Sequence, residues 1–224
     1  MTDDAVTRGR SGPRWWAIAL AALLVAALAF AIGRFSTFGP ADALPPSDTS
    51  PEAGFSRDMQ AHHAQAIEMA MEIHRKTEDD ELRALAYDIA TGQAGQRGEM
   101  YDWLVQWGLP QSGGPMMLWM AESDAGHDHG VPDEPMSNDE ANAAMGMATG
   151  AELLALREAE GTAADCLFLE LMIRHHEGAI PMAQAVVDLG SEPRVIVVAQ
   201  SMIAGQSAEI DAMQSMQAGL GCAG

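Results

Sequence analysis

The sequence is short of bases, aromatics and cysteine, and it lacks most recognised catalytic patterns. Lys and Arg number 12 against 32 Asp and Glu, a formal net charge of −20. Four of the bases (Arg8, Arg10, Arg14 and Arg34) flank one N-terminal apolar run, so the rest of the chain is more acidic still. Such a surface repels phosphates, which argues against nucleic acid as a partner; its plainest use is solubility. No CxxC, HExxH, GxSxG, Walker A or GxGxxG pattern occurs. The positions three before the seven histidines hold Met59, Gln60, Met71, Asp124, Gly126, Met172 and Ile173. None is Glu, which argues against a di-iron carboxylate bundle. Nothing resembles an activated nucleophile, so an enzyme is the weaker reading.

Methionine is abundant instead, with 16 in the chain. Met is a flexible core filler and also a soft thioether ligand suited to Cu(I). Composition does not separate the two uses; position can.

Residues 15–33 form an apolar run at the short end of a membrane span. Arg8, Arg10 and Arg14 precede it, so the positive-inside rule puts residues 1–14 in the cytoplasm and everything beyond Arg34 outside. Trp15 and Trp16 fall at the inner interface. The alternative is a signal peptide, since Ala29-Phe30-Ala31 fits a small-x-small cleavage pattern, but the run exceeds the usual apolar region. Residues 34–51, rich in Pro, Ser, Thr and Asp, read as a linker.

An internal repeat organises the remainder. Phe55-SRDMQAHHAQAIEMA-Ala70 aligns without a gap on Phe168-LELMIRHHEGAIPMA-Ala183, at an offset of 113. Gly92-Gln93 then falls on Gly205-Gln206, and Met100 on Met213. Each unit reads as a helical hairpin. Phe55, Met59, His62, Ala66, Met69 and Ile73 form one apolar stripe; Phe168, Met172, His175, Ala179, Met182, Val186 and Leu189 form its equivalent. Partner helices are expected from about Asp80 to Trp107 and from Arg194 to Gln217. The expected fold is all-α: a four-helix bundle from two tandem hairpins, 52–108 and 162–224. Residues 109–136 read as a mobile loop. Residues 137–161 read as two short helices opened by the capping boxes Ser137-x-x-Glu140 and Thr149-x-x-Glu152, with Gly161 closing the second. Thr49-x-x-Glu52 and Thr162-x-x-Asp165 read as caps of the two long helices.

Cys166 falls in the first turn of the third long helix and Cys222 just past the fourth. In an antiparallel hairpin these points are neighbours, and outside the cytoplasm a disulfide persists. Closing so long a loop is worth roughly 4 kcal/mol on the chain-entropy model.

His62 and His175 lie on the core stripes, with His63 and His176 rotated about 100° toward the flank. Met59 and Met172 sit one turn earlier. If the repeats face each other, two imidazoles and two thioethers converge in a set suited to copper, especially Cu(I); imidazole alone also accepts zinc. Against this, a core histidine is often only a hydrogen-bonded polar group, and Asp88, Glu99 or Glu209 could satisfy it. Pro181 removes an N–H near the second pair and predicts a bend. Met71 with His74, and His127 with His129 in the loop, are secondary metal candidates; the bland reading of the loop pair is incidental histidine in an acidic segment.

MQAHHAQAIEMA, FLELMIRHHEGAIPMAQ and TGAELLALREAEGTAADC resemble the bacterial family known as domain of unknown function 305, over about residues 50–218. The resemblance implies an exported ferritin-like helical bundle. It also implies a link to periplasmic copper-binding proteins of the CopM type, with Met59, His62, His63, Met172, His175 and His176 as ligands. The expected protein is thus single-pass and extracytoplasmic, and it sequesters or hands over copper, with zinc or no metal as alternatives. The competing reading is a metal-free module that docks a cell-envelope partner, or a second copy, through Trp103, Trp107 and Trp119.

Overall fold

A computed structural model of the chain describes residues 15–36, 44–121 and 136–222. It divides into two compact units, Met1–Pro45 and Pro46–Gly224. In the first, helix α1 (Trp15–Ser36) is apolar on every side over Trp15–Gly33, as expected where no aqueous face is needed. Its stretch Trp15–Gly33 has a mean hydropathy of 2.5 and is long enough to cross a membrane, a test that a signal sequence also passes.

The second unit is helical throughout its described residues. Helices α2 (Pro51–Lys76) and α3 (Asp80–Gln106) form the first hairpin. A single 3-10 turn follows at Leu118–Met120, then the short helices α4 (Asn138–Ala144) and α5 (Gly150–Glu158). Helices α6 (Gly161–Leu189) and α7 (Pro193–Leu220) form the second hairpin. This is the four-helix bundle of two tandem hairpins that the repeat predicts. Pro181 lies inside α6 without ending it.

The core explains the arrangement. Phe55 and Met59 of α2 share one buried cluster with Met182 and Val186 of α6. Ala66, Met69 and Ile73 share a second cluster with Phe168, Leu169 and Met172. The two helices are therefore antiparallel, and the stripes meet along their whole length. His62 and His175 fall between the clusters. They occupy equivalent positions of the repeat and touch each other, so the pseudo-twofold axis passes between them.

Several local expectations need correction. Ser50, not Thr49, caps α2 by accepting from the Ala53 amide, with Pro51 at the first helical position where it has no N–H to lose. Glu52 is freed from that role and reaches the amides of Ser191 and Glu192, at 2.6 and 3.1 Å, in the turn between α6 and α7. Glu160, not Thr162, precedes α6 and offers no side-chain cap; Gly161, with φ of 56°, heads α6 instead of closing α5. The capping boxes at Ser137 and Thr149 form as expected.

The loop expected over 109–136 is packed in its first part. The buried Arg57 guanidinium binds the carbonyls of Asp48 and Pro110. Asp58 accepts from the Met117 amide and from the Trp119 indole, both at 2.8 Å. Met117 adopts φ of 61°, a strained conformation for a residue with a Cβ, and the Asp58 bond holds it there. Trp119 packs against Gly54, where any Cβ would overlap it. His127 and His129 lie outside the described residues.

The disulfide Cys166–Cys222 forms with a Cα–Cα distance of 5.5 Å and joins the start of α6 to the end of α7.

Candidate metal centre

A layer of four histidines crosses the bundle between its two apolar clusters. His62 and His175 stack with ring centroids 3.6 Å apart and planes inclined by 33°. His63 and His176 stand 6.4 and 6.3 Å from the rings of their sequence neighbours, the same geometry twice. The flank position predicted for His63 and His176 is corrected by the structure: both have 0% exposure. A rotation of 100° from the α2–α6 seam points each ring at its own hairpin partner, which covers it. His63 bonds through Nε2 to the side-chain oxygen of Gln96 on α3 at 2.8 Å. His176 bonds through Nε2 to Glu209 on α7 at 2.6 Å. Gln96 and Glu209 are themselves related by the offset of 113. Of the three carboxylates considered from sequence, only Glu209 reaches a histidine of this layer; Glu99 pairs with Arg194 and Asp88 is exposed. No charge marks Gln96 in the sequence, although the repeat register points to it.

His62 differs from its twin. Its Nε2–H donates to the carbonyl oxygen of Met145, 2.9 Å away. Met145 belongs to the inserted segment between α4 and α5, which runs as a strap across α2 and α6. Gln65 clamps the strap to α2 by bonding both the amide and the carbonyl of Ala148, at 2.6 and 2.9 Å. Arg174 of α6 grips the carboxylate of Glu152 through two nitrogens at 2.9 and 2.8 Å. Gly146 and Gly178 let the strap touch the α6 backbone, since a Cβ on either would overlap a carbonyl.

The repeat has one strap, so His175 has no counterpart to the Met145 carbonyl. The His62 and His175 rings each feel the other residue's backbone, but neither nitrogen of His175 makes a well-formed hydrogen bond, and the Nδ1 atoms of His62, His63 and His176 are likewise buried without one. Buried polar atoms are nearly always satisfied, and each exception calls for an explanation. Burial pushes the His62 imidazole down to about 4 and that of His63 to about 3, and the neighbouring histidines add to the effect. His175 is lowered well below the usual histidine range, again by burial first. Neutral imidazoles with bare nitrogens are the form that binds metal ions.

The sequence-predicted set is brought together in part. Met59 and Met172 are fully buried but belong to different clusters, one on each side of the histidine layer. His74 is remote, roughly 18 Å along α2 from His62. It bonds the Arg83 carbonyl and faces the Tyr87 ring, while Met71 packs on the second cluster. Among the described residues no group of three His, Cys, Asp or Glu forms a ready-made metal cluster. Trp103, expected to be exposed, is buried, and Trp107 and Trp119 are half-buried.

Fold and site together define a tandem-hairpin bundle with histidines on its pseudo-twofold axis. The chain belongs to the family described as domain of unknown function (DUF305), which it matches over residues 52–217. It is similar to a DUF305 protein of Streptomyces coelicolor, described as a predicted secreted protein: 37% identity, TM-score 0.67, over 78% of this chain and 95% of that one. A DUF305 fragment from Deinococcus radiodurans is 30% identical with a TM-score of 0.62, over 79% and 98% of the two chains. CopM in its Cu(I)-bound form is 26% identical with a TM-score of 0.53, over 76% and 96%. CopM structures also include Cu(II)-bound and Ag-bound forms. No protein with a curated description matches the chain.

Proposed function

We propose that this protein is a membrane-anchored, extracytoplasmic copper binder that sequesters the ion or hands it on. The observation that carries the reading is His175: a fully buried imidazole, stacked on its twin, with neither nitrogen partnered. Leaving buried polar atoms unpaired costs about 1–3 kcal/mol each, a cost a bound cation removes. The ligands are drawn from His62, His63, His175 and His176, with the thioethers of Met59 and Met172 flanking the layer. Imidazole and thioether together suit copper, and Cu(I) above all. The similarity to CopM, which has been captured with copper, supports the same cargo. The arginines before α1 orient it with the bundle outside, where the disulfide persists. The rival docking reading keeps only Trp107 and Trp119, which are half-buried, since Trp103 is buried.

The test is Cu(I) competition against a chromophoric chelator, using the full chain in detergent, with zinc titrated in parallel. Stoichiometric binding tighter than micromolar is expected, weakened at least about a hundredfold in the His62→Ala, His175→Ala double variant. Affinity no better than micromolar, about −8 kcal/mol, would remove the copper role.

A further inference from the structure

The hydrogen bonds around the histidine layer fix more than ring orientation. A carbonyl oxygen and a carboxylate can only accept. The Met145 carbonyl at 2.9 Å therefore requires the proton of His62 to sit on Nε2, and Glu209 at 2.6 Å requires the same of His176. Gln96 places its side-chain oxygen 2.8 Å from Nε2 of His63 in the other repeat, which favours the same proton position without dictating it, since an amide turned end for end donates instead. A ring so bonded, when neutral, keeps its remaining lone pair on Nδ1. Those three Nδ1 atoms are buried and without partners, as are both ring nitrogens of His175. The pattern is consistent across three acceptors of different chemistry: a backbone carbonyl, an amide and a carboxylate.

We propose that Met145, Gln96 and Glu209 are positioning groups that hold His62, His63 and His176, three of the four rings of the layer, in the Nε2–H tautomer, so that a soft cation is taken through Nδ1. A ligating histidine commonly donates its other ring N–H to such an acceptor, which fixes the ring and raises its basicity. The two halves are unequal by design of the sequence. Glu209 is anionic and its equivalent Gln96 is neutral, so His176 is the stronger donor of the pair His63 and His176. This inference rests on the copper reading for its cargo, but the tautomer itself is a property of the ion-free protein.

The experiment is long-range 1H–15N correlation of histidine side chains in the full chain, first without metal and then with Ag(I) as the probe. His62 and His176 are expected to show a protonated Nε2 and a bare Nδ1. Ag(I) should shift Nδ1 and leave Nε2 protonated. Glu209→Leu should release the His176 tautomer and weaken Ag(I) binding about 10–100-fold. Glu209→Gln should restore the tautomer and most of the affinity, because Gln96 already serves the equivalent ring. A protonated Nδ1 in the ion-free protein, or Ag(I) shifting Nε2, would overturn the proposal. So would Glu209→Leu that leaves both tautomer and affinity unchanged. If Glu209→Leu fails to fold, the ion-free spectrum and Glu209→Gln still decide. Failure to bind either Ag(I) or Cu(I), with the Nε2–H tautomer intact, would instead count against the copper reading.

Discussion

The carbonyl of Met145 lies so close to Gly178 that a Cβ on that glycine would overlap it. The same carbonyl accepts from His62. One contact thus sets the height of the strap above α6, and with it the orientation of a ring in the site. Gly178→Ala is expected to lift the strap and destabilise the protein by roughly 1–3 kcal/mol, as overpacking does. Urea denaturation measures the loss, and the His62 ring resonances report whether its bond to Met145 survives. A variant as stable as the parent with an unchanged His62 signal would contradict this account.

Replacing His175 separates a structural histidine from a functional one. A core histidine that is satisfied loses stability when removed. His175 has no satisfied nitrogen, so His175→Leu should leave the metal-free protein as stable as before, or up to about 2 kcal/mol more stable. The stabilisation that added copper gives the parent should vanish at the same time. Thermal melts with and without Cu(I) give both quantities; a large loss of stability in the metal-free variant would show the ring to be structural.

The histidine layer predicts acid sensitivity of a particular sign. In the unfolded chain the imidazoles take up protons below about 6.5. In the native protein burial delays this to about 4 for His62 and about 3 for His63. The unfolded state therefore binds more protons across that interval. Stability is complete above about pH 6.5 and falls as the pH is lowered toward 4, by about 1.4 kcal/mol for each pH unit per lagging histidine. Denaturation midpoints at pH 7.5, 6 and 5 test it, and a variant lacking His62 and His63 should show a flatter profile in that range.

Reducing the disulfide should act at one end of the molecule. Cys222 packs beside the second apolar cluster, and the bridge closes a separation of 56 residues. Its loss is expected to remove roughly 2–4 kcal/mol. Amide exchange should rise at the end of α7 and the start of α6 while the histidine layer stays protected. Equal loosening at both ends would mean that the bridge supports the whole bundle.

The bundle was legible because the repeat was. A constant offset of 113 over two stripes fixes two equivalent hairpins, and equivalent core histidines on such stripes must meet near the axis. The burial of His63 and His176 was not legible. A single helix wheel puts them on a flank, and only the covering hairpin partner turns that flank into interior. Gln96 lay hidden for a related reason: its role depends on distance to a ring 33 residues away, and an uncharged amide draws no attention. The cap at Ser50 won over Thr49 because Pro51 accepts the first helical position without loss. The strap was invisible as a strap. Its capping boxes announced two short helices, but nothing local says that Gly146 and Gly178 will touch, or that the carbonyl of Met145 ends against His62.

That strap also says something about how such a protein can arise. A bundle of two identical hairpins, associated as separate chains, would carry every feature twice, related by the axis. A segment lying across the axis cannot be carried twice, because its two copies would need the same space. A chain in which both hairpins are fused has a connecting segment, and that segment can lie across the axis once. Fusion is thus the step that lets a symmetric pair of rings acquire a single, unequal cover.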